Sequence, residues 1–542
     1  VYTGQQVDIP VAQGGLLTDL APAKIPPENL IGSTNVILRG GLLEKAYGSL
    51  KYNQTALPSP IVAAFDYWPD DGTQRLIVVT KAGRVYRISD PYTTEEVLPA
   101  SSSVPTTLTV SERVHIVQGG QEFLSNTAGT KTNNRKLFIF TGNDQIQVIE
   151  GDSLTRRNIL TPATDWDGST GKQSYPFFGV IYLNRLVVFG NANLPHYAYI
   201  SSDQISSTLN GHEDFSSSSF NSAFFNVYPG EGTRLQSAFE FKNKLHFLKY
   251  PFGLYQLQVA DISDPTTWYI TKLNSDVGAS SIYAAAPIVD DVWVMNSSGT
   301  VQSLAATLNL GGIETANVLR LMFVQKYIQQ ITSPLGYGER QAFWHDLKNT
   351  AYFSFRGKDS QNNNVILAFD FTEEKPKLTI YNHLQANIIA ARRNVNQLNE
   401  VIIGSDDGYV YICDQATRLA AGSSYAAEFQ TPHMEFGTSQ DKNFDFVEVE
   451  YIPTGNTNLS MSWYIEGNLQ GTKSFNLGKS NQLDHFILDQ NQLQGRATRN
   501  QRIAIYGRGR SISLKFSHSG NQNFKITAIT VSMRMNGEDD KR

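Results

Sequence analysis

The sequence predicts an all-β chain: a β-propeller of about seven blades, entered by an extended N-terminal arm and followed by a C-terminal antiparallel β-sandwich. Three observations predict it. A two-strand hairpin pattern recurs seven times through the middle of the chain. The composition is rich in Tyr (25), Phe (29) and Gly (42) and only 18 % charged, which suits strands and tight turns better than long surface helices. Beyond residue 420 the pattern changes to strictly alternating runs.

Each repeat is a short, nearly continuous apolar run, a turn of Gly, Asn, Asp or Ser, and a second apolar run. The copies are Arg75–Val79 with Val85–Ile88, Lys136–Phe140 with Ile146–Ile149, and Arg185–Phe189 with Tyr197–Ile200. Lys244–Leu248 with Leu254–Leu257, Asp291–Met295 with Val301, Ala351–Phe355 with Val365–Phe369, and Val401–Ile403 with Val410–Ile412 complete them. Successive copies lie 47 to 61 residues apart, about 54 on average, a spacing that suits propeller blades. A further apolar run precedes several hairpins, as in Ile61–Phe65 and Ile388–Ala391, so three or four antiparallel strands form each unit. Between Ile313 and Ile331 the apolar residues recur at three- and four-residue steps, which predicts one helical interruption.

The expected domains are residues 1–55 (arm and closure strand), 56–420 (propeller) and 421–542 (sandwich). Asn35–Leu50 is assigned to closing the last blade or to a neighbouring subunit. The sandwich strands are read from runs such as Phe446–Tyr451, Leu459–Tyr464, Ser511–Phe516 and Phe524–Val531.

Charge and cysteine narrow the function. A formal net charge of −5 argues against a sequence-reading nucleic-acid binder. One cysteine, Cys413, rules out an internal disulfide framework. No apolar run approaches the ~18 residues a spanning helix needs, and the N-terminus lacks a signal-peptide layout, so a soluble chain with no membrane insertion of its own is expected.

No catalytic, metal or cofactor motif stands out. The nine histidines show no His-x-x-x-His spacing, and Asp165-Trp166-Asp167-Gly168 is too incomplete for a calcium loop. Gly171-Lys172 lacks both the leading glycine and the following helix of a phosphate loop, and no Gly-x-Ser-x-Gly elbow occurs. Asp290-Asp291 and Asp406-Asp407 fall at turns, where Asp is favoured for backbone reasons. The expectation is a non-enzyme with no cofactor. A basic turn, Gly507-Arg508-Gly509-Arg510, is the one local candidate for an acidic or phosphate contact, against the plainer reading of a solvated turn.

The N-terminal run Gly14-Gly15-Leu16-Leu17-Thr18-Asp19, then Pro26-Pro27, Asn35-Val36 and Gly40-Gly41, resembles the opening of the tail nozzle and packaged-DNA stabilisation proteins of short-tailed bacteriophages. Ser263-Asp264-Pro265-Thr266-Thr267-Trp268 and Phe429–Gly437 with Gly507–Ser511 resemble later parts of the same proteins. The resemblance implies a virion tail protein, made in the host cytoplasm, that forms a homohexameric ring below the portal and its adaptor. Such a ring contacts tail fibre or spike proteins, retains packaged DNA and lets the double strand pass on infection without specific binding. Leu16, Leu17, Asp19, Arg508 and Arg510 are then candidate interaction residues. The long polar stretches 101–135, 152–176 and 203–233 are candidate gate loops, or ordinary solvated connections. Two other classes stay open: a glycan- or partner-binding propeller for receptor recognition, and a propeller enzyme. For the latter, Gly404–Tyr411 is similar to a quinoprotein repeat but occurs only once.

Overall fold

The computed structural model describes residues 5–11, 13–21, 24–69, 72–89, 93–111, 113–124, 131–166, 174–203, 211–216, 222–305, 316–394, 396, 398–478 and 498–535. The chain is all-β, 50 % strand and 6 % helix, and its middle forms a β-propeller. Each repeat folds as a meander whose first strand is innermost. These innermost strands are Ile61–Tyr67, His115–Leu124, Phe178–Tyr182, Arg234–Phe241, Ala285–Ile288, Gln341–His345 and Ile388–Arg393. Each touches the next, and the last touches the first.

The expected seven blades need correction: six units are self-contained sheets of four or five strands. The sixth unit in chain order, Gln341–His345 to Lys377–Tyr381, is not a separate blade. Its outer strand continues through Gly32–Thr34 into Ala427–Gln430, Ile512–His518, Asn458–Ile465 and Asn468–Asn476, one sheet of nine strands. The cause is the arm: Thr34 lies parallel to Ile380 on one side and antiparallel to Glu428 on the other, so a single short strand splices two bodies.

The turns explain why the repeats were visible. Gly83 and Gly408, each between the second and third strands of its unit, have φ of +77° and +79°. A Cβ there would sit 1.9 Å from the Leu108 carbonyl oxygen and 2.1 Å from that of Leu57, so only glycine fits. The turns Leu183-Asn184 and Lys242-Asn243 hold φ between 48° and 59° at both central residues, the two-residue geometry that matches strand twist.

The second repeat departs from the rest. His115–Leu124 pairs with Lys131–Phe140 over ten residues, whereas the next strand covers only Lys136–Ile139. The outer part of this ladder is therefore a two-stranded ribbon. Part of the expected loop 101–135, at 115–124 and 131–135, is thus strand, while residues 125–130 lie outside the described residues. So do parts of 152–176 and 203–233. The expected helical stretch appears as two short helices, Val318–Leu321 and Gln325–Ile331.

The arm serves both bodies. Gly48–Lys51 pairs with Val410–Gln415 and supplies the outer strand of the last unit. The hairpin Val36–Lys45 and the strand Gln5–Ile9 instead pair with the long final strand Lys525–Met535. That strand's sheet and the distal half of the nine-stranded sheet enclose one apolar cluster, which includes Leu38, Val447, Trp463, Leu514 and Val531. Asn35 locks the splice. In the left-handed region (φ 55°), its Nδ2 donates to Asn382 Oδ1 (2.6 Å) and the Ala426 carbonyl (2.7 Å), while its Oδ1 accepts from Asn382 N (2.9 Å).

Candidate functional site: a cavity within the ring

The innermost strands surround a cavity of about 920 Å³, within the usual size range of ligand sites. Its two ends differ. Where the innermost strands begin, side chains cross the axis. Tyr283 Oη donates to the Val114 carbonyl (2.8 Å), and Arg113 donates to the carbonyl of Glu339. Ser281 Oγ donates to the Arg340 carbonyl (2.5 Å), and the Arg340 guanidinium bonds the carbonyls of Asn296 (3.0 Å) and Ser297 (3.1 Å). His115 stacks on Phe178 at 3.9 Å, and burial pushes its imidazole down to about 3, so it is neutral at ordinary pH. These ties link units across that end of the cavity.

The other end is open and polar. Asp66 accepts from Trp68 Nε1 (3.1 Å), Gln74 Nε2 (2.6 Å) and the Arg393 backbone N–H (3.0 Å), which fixes the indole at the mouth. Gln118 treats the free edge of the neighbouring strand as a partner strand would: its Oε1 accepts from Trp68 N (3.2 Å) and its Nε2 donates to Trp68 O (3.1 Å). Gln341 does the same at Ile389, accepting from its N–H at 2.6 Å and donating to its carbonyl. Arg135 Nη1 donates to Trp68 O (3.2 Å), and Arg392 lies 4.2 Å over the Tyr52 ring. Among the described residues the charged lining is Asp66, Arg135, Arg392 and Arg393, and Arg392 also lies 3.7 Å from Glu400. Among the described residues no group of three or more His, Cys, Asp or Glu is placed to hold a metal ion.

The five interaction residues named from sequence lie elsewhere and do not form one site. Leu16 is buried, with its N–H on the Leu378 carbonyl (3.0 Å), and Leu17 N–H bonds the Leu30 carbonyl (2.8 Å). Asp19 caps the second short helix, accepting from Lys326 N (2.8 Å) and Tyr327 N (3.3 Å). Arg508 pairs with Asp441 (3.3 Å) and Arg510 with Glu466 (3.2 Å) on the outside of the second body. Sequence reading missed Trp68, Gln118, Arg135 and Arg393. The available signal was position: Trp68 and Arg393 close the apolar run that precedes a repeat hairpin, where the chain leaves the ring's inner wall.

No protein-family model matches this chain, and no curated protein matches it. Among solved structures it is similar to the computationally designed Ika8 protein, with 12 % identity, a TM-score of 0.35, and coverage of 68 % of this chain and 99 % of that one. It is similar to BBS1N in complex with ARL6DN at 10 % identity and TM-score 0.38, covering 68 % and 96 %. An exo-β-1,3-galactanase from Phanerochaete chrysosporium matches at 10 % identity and TM-score 0.25, covering 95 % and 99 %. At these scores none of the three bears on what this chain does.

Proposed function

We propose that this chain is a non-enzymatic structural protein of a short-tailed phage tail: one subunit of a hexameric nozzle below the portal and adaptor, holding packaged DNA and letting it pass. The observation that supports the reading best is where the resembling motifs fall. Gly14 to Asp19 packs the arm against the ring, with a Cβ on Gly15 only 2.7 Å from Leu378 N, and Asn35 locks the ring to the second body. Residues typical of those tail proteins thus occupy the joints of a two-body wall element. In this reading the second body is a β-sandwich. Fibre or spike proteins bind the assembled ring.

The test is quantitative mass spectrometry of purified particles from the source. A ratio near one copy per two portal subunits is expected for a six-fold ring on a twelve-fold portal. Absence from the particle overturns the reading.

A further inference from the structure

The second body holds a cavity of its own, of about 560 Å³, on the nine-stranded sheet, within the usual size range of ligand sites. The strands there alternate. Phe429, Phe516 and Met461 enter the apolar cluster, while Glu428, Ser517 and Ser460, direct cross-strand neighbours, stand on the opposite face. The groove's floor is tied down. His518 is 4 % exposed, with Nδ1 2.7 Å from the Asn458 carbonyl and Nε2 3.0 Å from the Gln522 carbonyl. The buried Lys45 Nζ donates to the carbonyls of Gly520 (2.6 Å) and Tyr425 (2.9 Å).

The lining side chains keep hydrogen-bonding capacity in hand. Asn476 Nδ2 donates to Asn456 Oδ1 (2.5 Å) and Asn458 Oδ1 (2.7 Å), which fixes how both amides are turned and leaves their Nδ2 groups as donors. Among the described residues those two Nδ2 groups, the Ser517 and Ser519 hydroxyls, the Gln522 amide and Glu428 Oε1 take part in no hydrogen bond, and all belong to the lining. The other oxygen of Glu428 lies 2.8 Å from Lys515 Nζ, so the carboxylate is already balanced.

We propose that this groove binds a neutral saccharide. Its open groups are donors and acceptors side by side, and a sugar hydroxyl is both at once. An apolar ligand would strip these groups of water and leave them unpaired. An anion meets the Glu428 carboxylate and a cation meets the Lys515 ammonium beside it, which leaves an uncharged polyhydroxyl ligand as the complement. Glu428 Oε1 accepts from a sugar hydroxyl, and the Asn456 and Asn458 amides donate to sugar oxygens. Ser519 and Gln522, both exposed, add contacts from the turn. The proposal stands apart from the virion reading, since copy number in a particle and sugar binding are read separately.

The test uses the full-length protein on an array of neutral, acidic and amino-substituted oligosaccharides, followed by isothermal titration calorimetry on the strongest ligands. Expected is binding of neutral glycans above their charged counterparts. Glu428→Gln and Gln522→Ala each weaken it about tenfold. The thermal unfolding midpoint stays unchanged, because Gln522 is exposed and the Glu428–Lys515 pair lies at the surface, where it adds little stability. An array with no ligand above background, ligands that are all charged, or unchanged affinity in both variants overturns the proposal. Binding lost in Trp68→Ala but kept in both groove variants overturns it in favour of a site at the ring's mouth.

Discussion

The ring and the second body are both antiparallel β-structure, yet they are built from opposite kinds of contact. Each ring unit is a meander of strands close in sequence, closed by one borrowed strand, Gly48–Lys51. The second body brings together the two ends of the chain: Gln5–Ile9 pairs with the final strand, and Gly32–Thr34 lies between Lys377–Tyr381 and Ala427–Gln430. The difference shows where the molecule is vulnerable. Damage to one ring unit stays local, whereas damage to the arm reaches the second body and the splice together.

Deleting residues 1–45 is expected to have the largest effect. It removes the strands paired with Lys525–Met535 and the splice at Thr34, but leaves Gly48–Lys51 to close the ring. The second body then loses its cooperative unfolding transition while the ring keeps one, as read by calorimetry and limited proteolysis. A single unaltered transition would break the comparison.

Glu213→Gln tests the ring alone. The carboxylate is fully buried, with Arg157 Nη1 at 2.6 Å, Arg157 Nη2 at 2.8 Å and Lys136 Nζ at 2.5 Å. Burial alone would raise its pKa, but the Arg157 hydrogen bonds and the Lys136 charge outweigh it and hold the carboxyl below the usual range. Losing one partner of a buried ionic cluster costs about 3–5 kcal/mol. Urea unfolding should show this loss in the ring transition and none in the second body. Because the folded pKa is depressed, the contribution is present above the unfolded pKa and lost as pH falls through the folded one.

Acid also tests the joint. Burial pushes His383 down to about 4, overcoming the Tyr47 carbonyl 3.2 Å from Nε2, which favours the charged ring. Its Nδ1 lies 2.8 Å from Asn35 Oδ1, and its ring stacks on Tyr425 at 4.1 Å beside the buried ammonium of Lys45, with Asp414 also contributing. A depressed histidine pKa stabilises the neutral form, so stability is complete above the unfolded value of about 6.5 and is lost toward 4. The loss is of order 3 kcal/mol. The ring has its own depressed histidines, His115 and His212, so both regions weaken in acid. His383→Gln should reduce, not abolish, the pH dependence of the second-body transition, since burial also lowers His433 and His518 there. At the small end, Arg508→Ala and Arg510→Ala remove exposed pairs and should each cost less than about 1 kcal/mol by chemical denaturation.

The same contrast explains what was legible in the sequence. Ring hairpins announce themselves locally, through apolar runs joined by turns such as Lys81-Ala82-Gly83 and Ser405–Gly408, whose glycines have to be left-handed. The splice had no such signal. Gly32–Thr34 is three residues long, and only the spatial meeting of Ile380 and Glu428 gives it a role. That meeting turns a would-be stand-alone blade into half of a larger sheet. Leu16 and Asp19, named from sequence as interaction residues, make contacts within the chain: Leu16 in the core and Asp19 as a helix cap. The channel mouth was invisible for a similar reason. Trp68, Gln118 and Arg393 come from three different units, and no linear spacing relates them.

The most direct test of the joint is hydrogen–deuterium exchange on the intact protein and on Asn35→Ala. The substitution removes the hydrogen bonds to Asn382, Ala426 and His383 and puts alanine in a left-handed conformation. Faster exchange is expected in Lys377–Tyr381, Ala427–Gln430 and Lys525–Met535, with Arg75–Thr80 and Arg185–Phe189 unchanged. Equal acceleration in ring and second body, or none in either, would contradict the assignment of the arm as the joint between them.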